Sequence, residues 1–305
     1  MRLPLVALFS FLLLLPACSS NDGDEVMLPV TPGLAVGQST AGVETSFERL
    51  TAALQSAGPV GIVAEVDHQR NASGSGLSLR PTRVVLFGNP ALGTPLMQAN
   101  PQAGLDLPQK MLVYQDDDGN TLVAYNTTDY LARRHGVGSV STLSDIAGAL
   151  EMFGGEAAGT EVRFEMRSSG DVTLGEGIVA VASPDDVATT YARLRSAVTG
   201  NDALTLIAEL DHQANAQSVG LDLPPTRLIV FGNPALGTPL MQNAQTIAID
   251  LPQKMLVYQA DDGQTMIAYN DPAFLATRHG LNDVAQIDTI SMALAGLAAT
   301  AAGSN

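Results

Sequence analysis

The chain has 305 residues, of which 46% are hydrophobic and 15% are charged, and this length and composition predict two globular domains with packed cores. Its 31 acidic side chains outnumber the 15 basic ones, which gives a formal net charge of -16. This balance argues against a nucleic-acid binder, because contact with a phosphate backbone requires a basic surface. The single cysteine excludes an internal disulfide framework and a multi-cysteine metal cluster.

Residues 1–18 are predicted to form a lipoprotein signal peptide. Arg2 precedes an apolar run at 5–15 that is short for a membrane span, and the run ends in LPAC, whose last residue is Cys18. This ending resembles the lipobox of bacterial lipoproteins, in which the cysteine is acylated. We therefore expect Cys18 to carry the lipid and residues 19–29 to form a tether. The protein is then expected at the outer membrane, facing the periplasm; an ordinary secretory signal is the alternative.

An internal repeat dominates the rest of the chain. The string DHQ at 67–69 recurs at 211–213, 144 residues further on, and the same offset carries FGNP at 87–90 onto 231–234. Each copy is far longer than a solenoid repeat, so the pattern predicts two tandem domains, each with its own core. We place these domains at residues 30–155 and 160–305, with the boundary in the small-residue stretch at 154–159.

The predicted elements of a copy are a strand, a helix, two strands, a hairpin and further helices. In copy two, Ser183 is the expected N-cap of the first helix. The Gly-Asn-Pro turn ends the third strand, and Thr94-Pro95 is expected to begin a short helix that runs through Met97. The segments 111–115 and 121–125 are predicted to form the hairpin. This order indicates an α+β domain of two layers, with helices packed on one face of a mostly antiparallel sheet.

Several long strings of the two copies resemble one family. FGNPALGTPLMQ and LPQKMLVYQ occur in both copies, with DHQ upstream and AYN and RHG downstream. They resemble the domain of unknown function 302, over about residues 30–155 and 175–300. This resemblance implies a compact α+β fold similar to the TBP-like class, a tandem that forms an intramolecular pseudo-dimer, and no established activity. Another branch carries cysteines where this chain has Phe87-Gly88 and Gln109, so thiol chemistry does not transfer.

Polar positions that recur in both copies are the candidate ligand-binding residues. They are Asp67, His68, Arg83, Asn89 and Lys110 in the first copy, and Asp211, His212, Arg227, Asn233 and Lys254 in the second. An Asp-His pair could serve as a general base or as metal ligands, or the aspartate could cap a turn while the histidine makes a structural hydrogen bond. The Gly-Asn-Pro loop, helped by the arginine or the lysine, could hold an anion. Turn geometry alone is the other explanation of that loop.

A second histidine in each copy, His135 and His279, lies beside an arginine in the last turn of a helix that glycine ends. Helix capping explains this arrangement better than metal binding does. Repeated methionines at 97, 111, 241 and 255 could bind copper together with histidine, but methionine more often fills gaps in a core. We therefore expect no metal and no cofactor.

The sequence contains no catalytic signature such as a nucleophile elbow or a zincin helix. We expect a lipid-anchored envelope binding module of two pseudo-symmetric domains, with a small-ligand or anion site in each. A structural scaffold that binds another envelope protein is the first alternative. The second is an enzyme that uses His68 and His212 as acid–base groups.

Overall fold

The protein is described by a computed structural model that covers residues 26–159, 162–170, 172–281 and 283–304. The predicted signal peptide, its Cys18 and the start of the tether lie outside these residues. Within the described ranges, no helix combines the length and the apolar character that crossing a membrane requires.

The first repeat builds a six-stranded sheet with helices in its connections. In chain order its elements are β1 (Leu34–Gln38), α1 (Val43–Ser56), β2 (Gly61–Asp67), α2 (His68–Gly74), β3 (Thr82–Gly88), α3 (Pro90–Ala99), a first 3-10 helix (Pro101–Leu105), β4 (Gln109–Gln115), β5 (Thr121–Asn126), α4 (Thr128–His135), α5 (Leu143–Ala158) and β6 (Glu165–Met166). The strands lie in the order β2-β3-β4-β5-β1-β6, and every pairing is antiparallel.

The second repeat builds a five-stranded sheet on the same plan. Its elements are β7 (Ile178–Ser183), α6 (Val187–Thr199), β8 (Thr205–Asp211), α7 (His212–Ser218), β9 (Thr226–Gly232), α8 (Pro234–Asn243), a second 3-10 helix (Gln245–Ile249), β10 (Gln253–Gln259), β11 (Thr265–Asn270), α9 (Pro272–Arg278) and α10 (Gln286–Ala301). The strand order is β7-β11-β10-β9-β8, again antiparallel throughout. The predicted α+β class is confirmed.

Strand β3 is buried on both faces of its sheet. Val85 and Phe87 pack with residues of α1 and α5, whereas Val84 and Leu86 pack with residues of the second repeat. Side chains alternate between the faces of a strand, so burial on both faces requires an unbroken apolar run. The helices thus cover one face of each sheet, as predicted, and the other repeat covers the second face.

The two 3-10 helices cross the interface between the repeats. The first packs against β9, β10 and β11, and the second packs against β3, β4 and β5. Gln245 of the second helix donates to Thr82 Oγ1 at 2.6 Å and accepts from Arg80 Nη2 at 2.9 Å. Leu105 of the first helix belongs to the same buried cluster as the second sheet. One buried cluster therefore spans both repeats, and a second cluster lies mainly between the first sheet and its own helices.

The short helices α2 and α7 also reach the opposite repeat. Helix α2 packs against α8, and α7 packs against α3. Two equivalent hydrogen bonds hold these contacts: Gln98 Nε2 donates to the carbonyl of Asp222 at 2.7 Å, and Gln242 Nε2 donates to that of Ser78 at 2.6 Å. This packing carries the Asp-His pair of each repeat toward the Gly-Asn-Pro loop of the other.

Two helix starts differ from the prediction. Helix α3 begins at Pro90 rather than Thr94, because Asn89 caps it by accepting from the backbone N–H of Ala91 and proline suits the first helical position. Helix α6 begins at Val187, where Asp186 rather than Ser183 is the N-cap. The Ser183 hydroxyl lies instead 2.7 Å from Thr190 Oγ1 in the helix.

The first repeat extends past residue 155. Helix α5 continues through Gly154-Gly155 to Ala158, and the short strand β6 then pairs with β1. A pair of glycines in a helix costs about 2 kcal/mol relative to alanine, and the buried apolar face of α5 offsets that cost. The small-residue stretch is therefore helical rather than a linker.

Candidate functional site

Two cavities lie between the repeats, and both repeats line each of them. The first, which we call the His212 pocket, has a volume of about 400 Å³ and is formed by the FGNP loop at 87–90, α3 and α5 together with His212 of the second repeat. The second, the His68 pocket, has a volume of about 360 Å³ and is formed by the equivalent loop at 231–234 together with His68. The structure thus joins each histidine to the loop of the opposite copy.

The loop and the following helix place a buried threonine in each pocket. Asn89 and Asn233 use their side chains to cap α3 and α8, which fixes the direction in which each helix leaves its loop. One turn further along, Thr94 and Thr238 line the His212 and His68 pockets, respectively, and both are fully buried. The asparagines therefore act as helix caps and are also part of the lining.

In each Asp-His pair, the aspartate caps a short helix and the histidine lines a pocket. Asp67 and Asp211 cap α2 and α7 by accepting backbone N–H groups at 2.8 and 2.9 Å, so the predicted capping role is confirmed. His68 and His212 are the first residues of these helices and are buried. Burial lowers the pKa of both imidazoles to about 4, against the smaller opposing effect of the neighbouring aspartate. Both histidines are therefore neutral at pH 7.

Several buried polar atoms of the residues that line the pockets lack a hydrogen-bond partner. In the His212 pocket these atoms, judged against the described residues, are His212 Nε2, Thr94 Oγ1 and Gln109 Nε2. In the His68 pocket, His68 Nε2 and Thr238 Oγ1 find no partner within the described ranges either. Leaving a buried polar group unpaired costs about 1–3 kcal/mol. The histidine Nε2 and the threonine Oγ1 are thus without a partner at equivalent positions of both pockets, whereas the glutamine atom is so only in the His212 pocket.

The pockets differ in charge. None of the described residues that line the His212 pocket is charged. Glu65, Asp67 and Arg70 all line the His68 pocket, and Arg70 is replaced by Ala214 in the second copy. A charged ligand would therefore meet charged side chains in only one of the two cavities.

The candidate arginines lie outside both pockets. Arg83 donates to Glu44 at 2.8 Å and stacks on the Phe47 ring at 3.9 Å. Arg227 donates to Asp211 at 2.8 Å, so it supports the capping aspartate. The structure does not bring either guanidinium to a Gly-Asn-Pro loop. The sequence-based anion site, which used these cations, is not assembled.

The candidate lysines point into the interface instead. Residues 109 and 110 are neighbours on β4, so Gln109 lines the His212 pocket while Lys110 lies on the opposite face of the sheet. Lys110 Nζ lies 3.4 Å from Asp250 Oδ1, and Lys254 Nζ lies 3.5 Å from Asp106 Oδ1. All four side chains are buried. The lysines thus link the repeats and do not line either pocket.

Each of these aspartates also holds the arginine and histidine of its own repeat. Asp106 Oδ2 accepts from Arg134 Nη1 at 2.6 Å and lies 2.9 Å from His135 Nε2. Asp250 makes the same contacts with Arg278 and His279, at 2.8 and 2.9 Å. Burial alone would raise the pKa of both aspartates, but the surrounding cations hold it well below the usual range. We call these eight side chains the central charge cluster.

Helix capping explains only part of the role of His135 and His279. Gly136 adopts a left-handed conformation (φ 65°) at the end of α4, as the sequence predicted. The side chains of both histidines are nevertheless buried against an aspartate. Sequence reasoning missed Asp106 and Asp250, although they obey the same 144-residue offset. It also missed Thr94 and Gln109, which lie inside the repeated strings.

Among the residues that the structure describes, histidine, cysteine and acidic side chains never gather in groups of three that could hold a metal ion. Met97 and Met241 line the His212 and His68 pockets, respectively, whereas Met111 and Met255 are core residues. The methionines thus split between the pockets and the core.

The fold and the pockets define a tandem α+β protein with two composite cavities at the interface of its repeats. Residues 36–153 and 179–298 each match the family model described as domain of unknown function DUF302. The chain belongs to this family and contains two copies of its domain.

Curated relatives match part of the chain. The fluoride-specific ion channel FluC 1 of Brucella suis and FluC 1 of Brucella abortus are both 38% identical to it over 145 residues, which are 46% of this chain and 56% and 52% of those proteins. The chain thus spans about half the length of these relatives. A crystal structure of an uncharacterised conserved DUF302 protein from Bacillus stearothermophilus covers 41% of this chain and 95% of its own, with 21% identity and a TM-score of 0.34.

Proposed function

We propose that this protein is a binding module of the bacterial cell envelope, anchored by lipid at Cys18, whose two interdomain pockets hold small ligands. The observation that carries the proposal is a set of buried polar atoms on residues of both pockets that have no partner in the described part of the chain, led by His212 Nε2 and Thr94 Oγ1 and repeated at His68 and Thr238. Volumes of about 360 and 400 Å³ lie in the range of small-molecule sites. Because each pocket needs both repeats, the tandem arrangement is part of the site.

The acid–base alternative has less support from the site. The imidazoles of His68 and His212 have pKa values near 4, which is far from the value that suits a general base at neutral pH. The carboxylates of Asp67 and Asp211 accept backbone N–H groups at their helix starts. The scaffold alternative explains Lys110 and Lys254, which join the repeats, but it does not explain the orphaned atoms of the pockets.

Native mass spectrometry tests this proposal. The full chain carrying Cys18→Ser and secreted to the periplasm is expected to retain a small molecule. Ala149→Trp and Ala293→Trp replace equivalent residues that line the His212 and His68 pockets, so the double variant is expected to lose the retained mass. Ala295→Trp, at an exposed position of α10 outside both linings, is the matched control. Loss of the retained mass in the control, or its survival in the double variant, would contradict the proposal.

The anchor has its own test. Fractionation of cells that express the full chain is expected to place it with outer membranes, and a chain in which an ordinary cleavable secretory signal replaces residues 1–18 is expected in the periplasmic fraction. Mass spectrometry of the membrane-bound chain should find the lipid on Cys18; an unmodified Cys18 would contradict lipid attachment at this residue, without bearing on the pockets.

A further inference from the structure

We infer that the His212 pocket selects an uncharged small molecule with an apolar body and one hydrogen-bond donor, and that His212 Nε2 accepts the bond from this donor. The inference rests on the proposed function, because it names the ligand class of one of the two pockets. Three independent features of the pocket lead to it: its charge, its wall and its orphaned atoms.

The charge of the pocket selects against ions. Its described lining has no charged side chain, and His212, the one titratable residue of that lining, is held neutral by burial. Asp211, the residue before His212, directs its carboxylate to the backbone of α7 and to Arg227. A ligand charge moved from water into such a cavity has no counter-charge to offset its lost hydration. The pocket therefore favours a neutral ligand.

The hydrophobic lining of the pocket requires a ligand whose main part is apolar. Most of the surface comes from hydrophobic side chains, among them Phe87, Met97, Ile146, Leu150 and Phe153. The rings of Phe87 and Phe153 meet edge to face with centroids 5.6 Å apart, which gives a rigid aromatic wall. A volume of about 400 Å³ accommodates a molecule of two or three rings or a medium-length acyl chain.

The unpartnered polar atoms of the pocket determine which polar group, here called the head group, the ligand must carry. The backbone of Gly104, in the opposite repeat, opposes the effect of burial on the pKa of His212. His212 Nε2 has no partner among the described residues, so we assign the Gly104 contact, and with it the ring proton, to Nδ1. A neutral imidazole that donates through Nδ1 keeps a lone pair on Nε2, so Nε2 acts as an acceptor. Thr94 Oγ1 and Gln109 Nε2, both without a partner among the described residues, offer further bonds to the same head group, and the glutamine amide needs an acceptor there.

A pair of matched fluorescent probes tests the inference. N-phenyl-1-naphthylamine is uncharged and has one N–H donor, whereas 8-anilino-1-naphthalenesulfonate has the same rings and an added sulfonate. The full chain has no tryptophan, so probe emission is easily read. In the Cys18→Ser chain carrying Ala293→Leu, which crowds the His68 pocket, we expect saturable binding of the amine and at least about tenfold weaker binding of the sulfonate, equivalent to ~1.4 kcal/mol.

Substitutions in the pocket test which residues bind the N–H group of the probe. His212→Leu and Thr94→Val are each expected to weaken binding of the amine at least about fivefold, and 1-benzylnaphthalene, which replaces the N–H with CH₂, should compete poorly. The control Ala295→Trp, at an exposed position of α10 outside both linings, should leave the affinity unchanged. Equal binding of the two probes, or full affinity in both His212→Leu and Thr94→Val, overturns the inference. If the amine does not bind, the inference also fails, and the mass retained by the wild-type chain decides separately whether the proposed function survives.

Discussion

Lys254 of the second repeat reaches Asp106 of the first at 3.5 Å, and Lys110 of the first repeat reaches Asp250 of the second at 3.4 Å. These two residues are the only lysines of the chain, and both are buried. Lysine is seldom buried without a charged partner. The exchange of lysines therefore ties the folding of one repeat to that of the other.

Asp106→Asn is expected to destabilise the protein strongly. The change leaves Arg134, His135 and Lys254 without their shared carboxylate, and breaking a buried ion pair from one side costs about 3–5 kcal/mol. Urea unfolding measures the loss. Asp185→Asn is the matched control, because Asp185 pairs with Arg193 near the surface and should lose no more than about 1 kcal/mol.

Chemical labelling of the lysine amines is a second test of the Asp106→Asn prediction. With its only lysines buried, the native chain should resist lysine acetylation, and Asp106→Asn should expose Lys254 to the reagent. Intact mass spectrometry counts the added acetyl groups. Rapid labelling of the native wild-type chain at both lysines would contradict the buried cluster.

Lys254 makes the stability depend on pH in the alkaline range. Burial and the adjacent Lys110 lower the pKa of Lys254 from 10.5 to about 7. Between these values the unfolded chain holds a proton that the folded chain has released, so the free energy of unfolding rises with pH and this gain is lost as pH falls through 7. Urea unfolding from about pH 7 to pH 9.5 should show this rise in the wild type. Lys254→Met should flatten it; parallel profiles of the two chains would contradict the prediction.

Local signals predicted most of the fold. The turn at Gly88-Asn89-Pro90, the hairpin around Gly119 and the apolar strands are determined by neighbouring residues, so the sequence reveals them. The crossing of the two 3-10 helices depends on side chains far apart in the chain, such as Gln245 and Thr82, and no local pattern indicates it. Unbroken apolar runs in β3 and β4, repeated in β9 and β10, are the available sign that a second layer covers each sheet.

The candidate site could be predicted only in part. The 144-residue offset drew attention to His68 and His212, which line the two pockets, but it did not show that each faces the loop of the opposite copy. It also placed Lys110 in the pocket, although the alternation of β4 sends Gln109 there instead. Repeated residues that stabilise the interface and repeated residues that line a pocket are indistinguishable in one sequence.

Arg83→Ala separates stability from ligand binding. The variant loses the contact with Glu44 and the stacking on Phe47, and because Arg83 is partly exposed we expect a loss of about 1 kcal/mol. Binding of N-phenyl-1-naphthylamine should not change, since Arg83 lies outside both pockets. Thermal unfolding measures the loss of stability, and titration of the same sample with the probe measures the affinity. A loss of probe affinity with normal stability would contradict the prediction and indicate that Arg83 contributes to the binding site.

Thr94→Val is expected to stabilise the ligand-free protein. The Thr94 hydroxyl is fully buried and has no partner in the described part of the chain, so replacing it with a methyl group of similar shape removes an unpaired polar atom. A gain of about 1 kcal/mol in the free energy of unfolding should appear in urea titrations.

Thr82→Val is the matched control for that change. Thr82 is equally buried, but its hydroxyl donates to the carbonyl of Arg80 at 2.8 Å and accepts from Gln245 Nε2 at 2.6 Å. Its loss should destabilise the protein by about 1–2 kcal/mol, because the interface amide is left unpaired. Opposite signs at two buried threonines would show that Thr94 is retained at a cost to stability, as expected of a ligand contact. Destabilisation of similar size in both variants would instead assign Thr94 to the core.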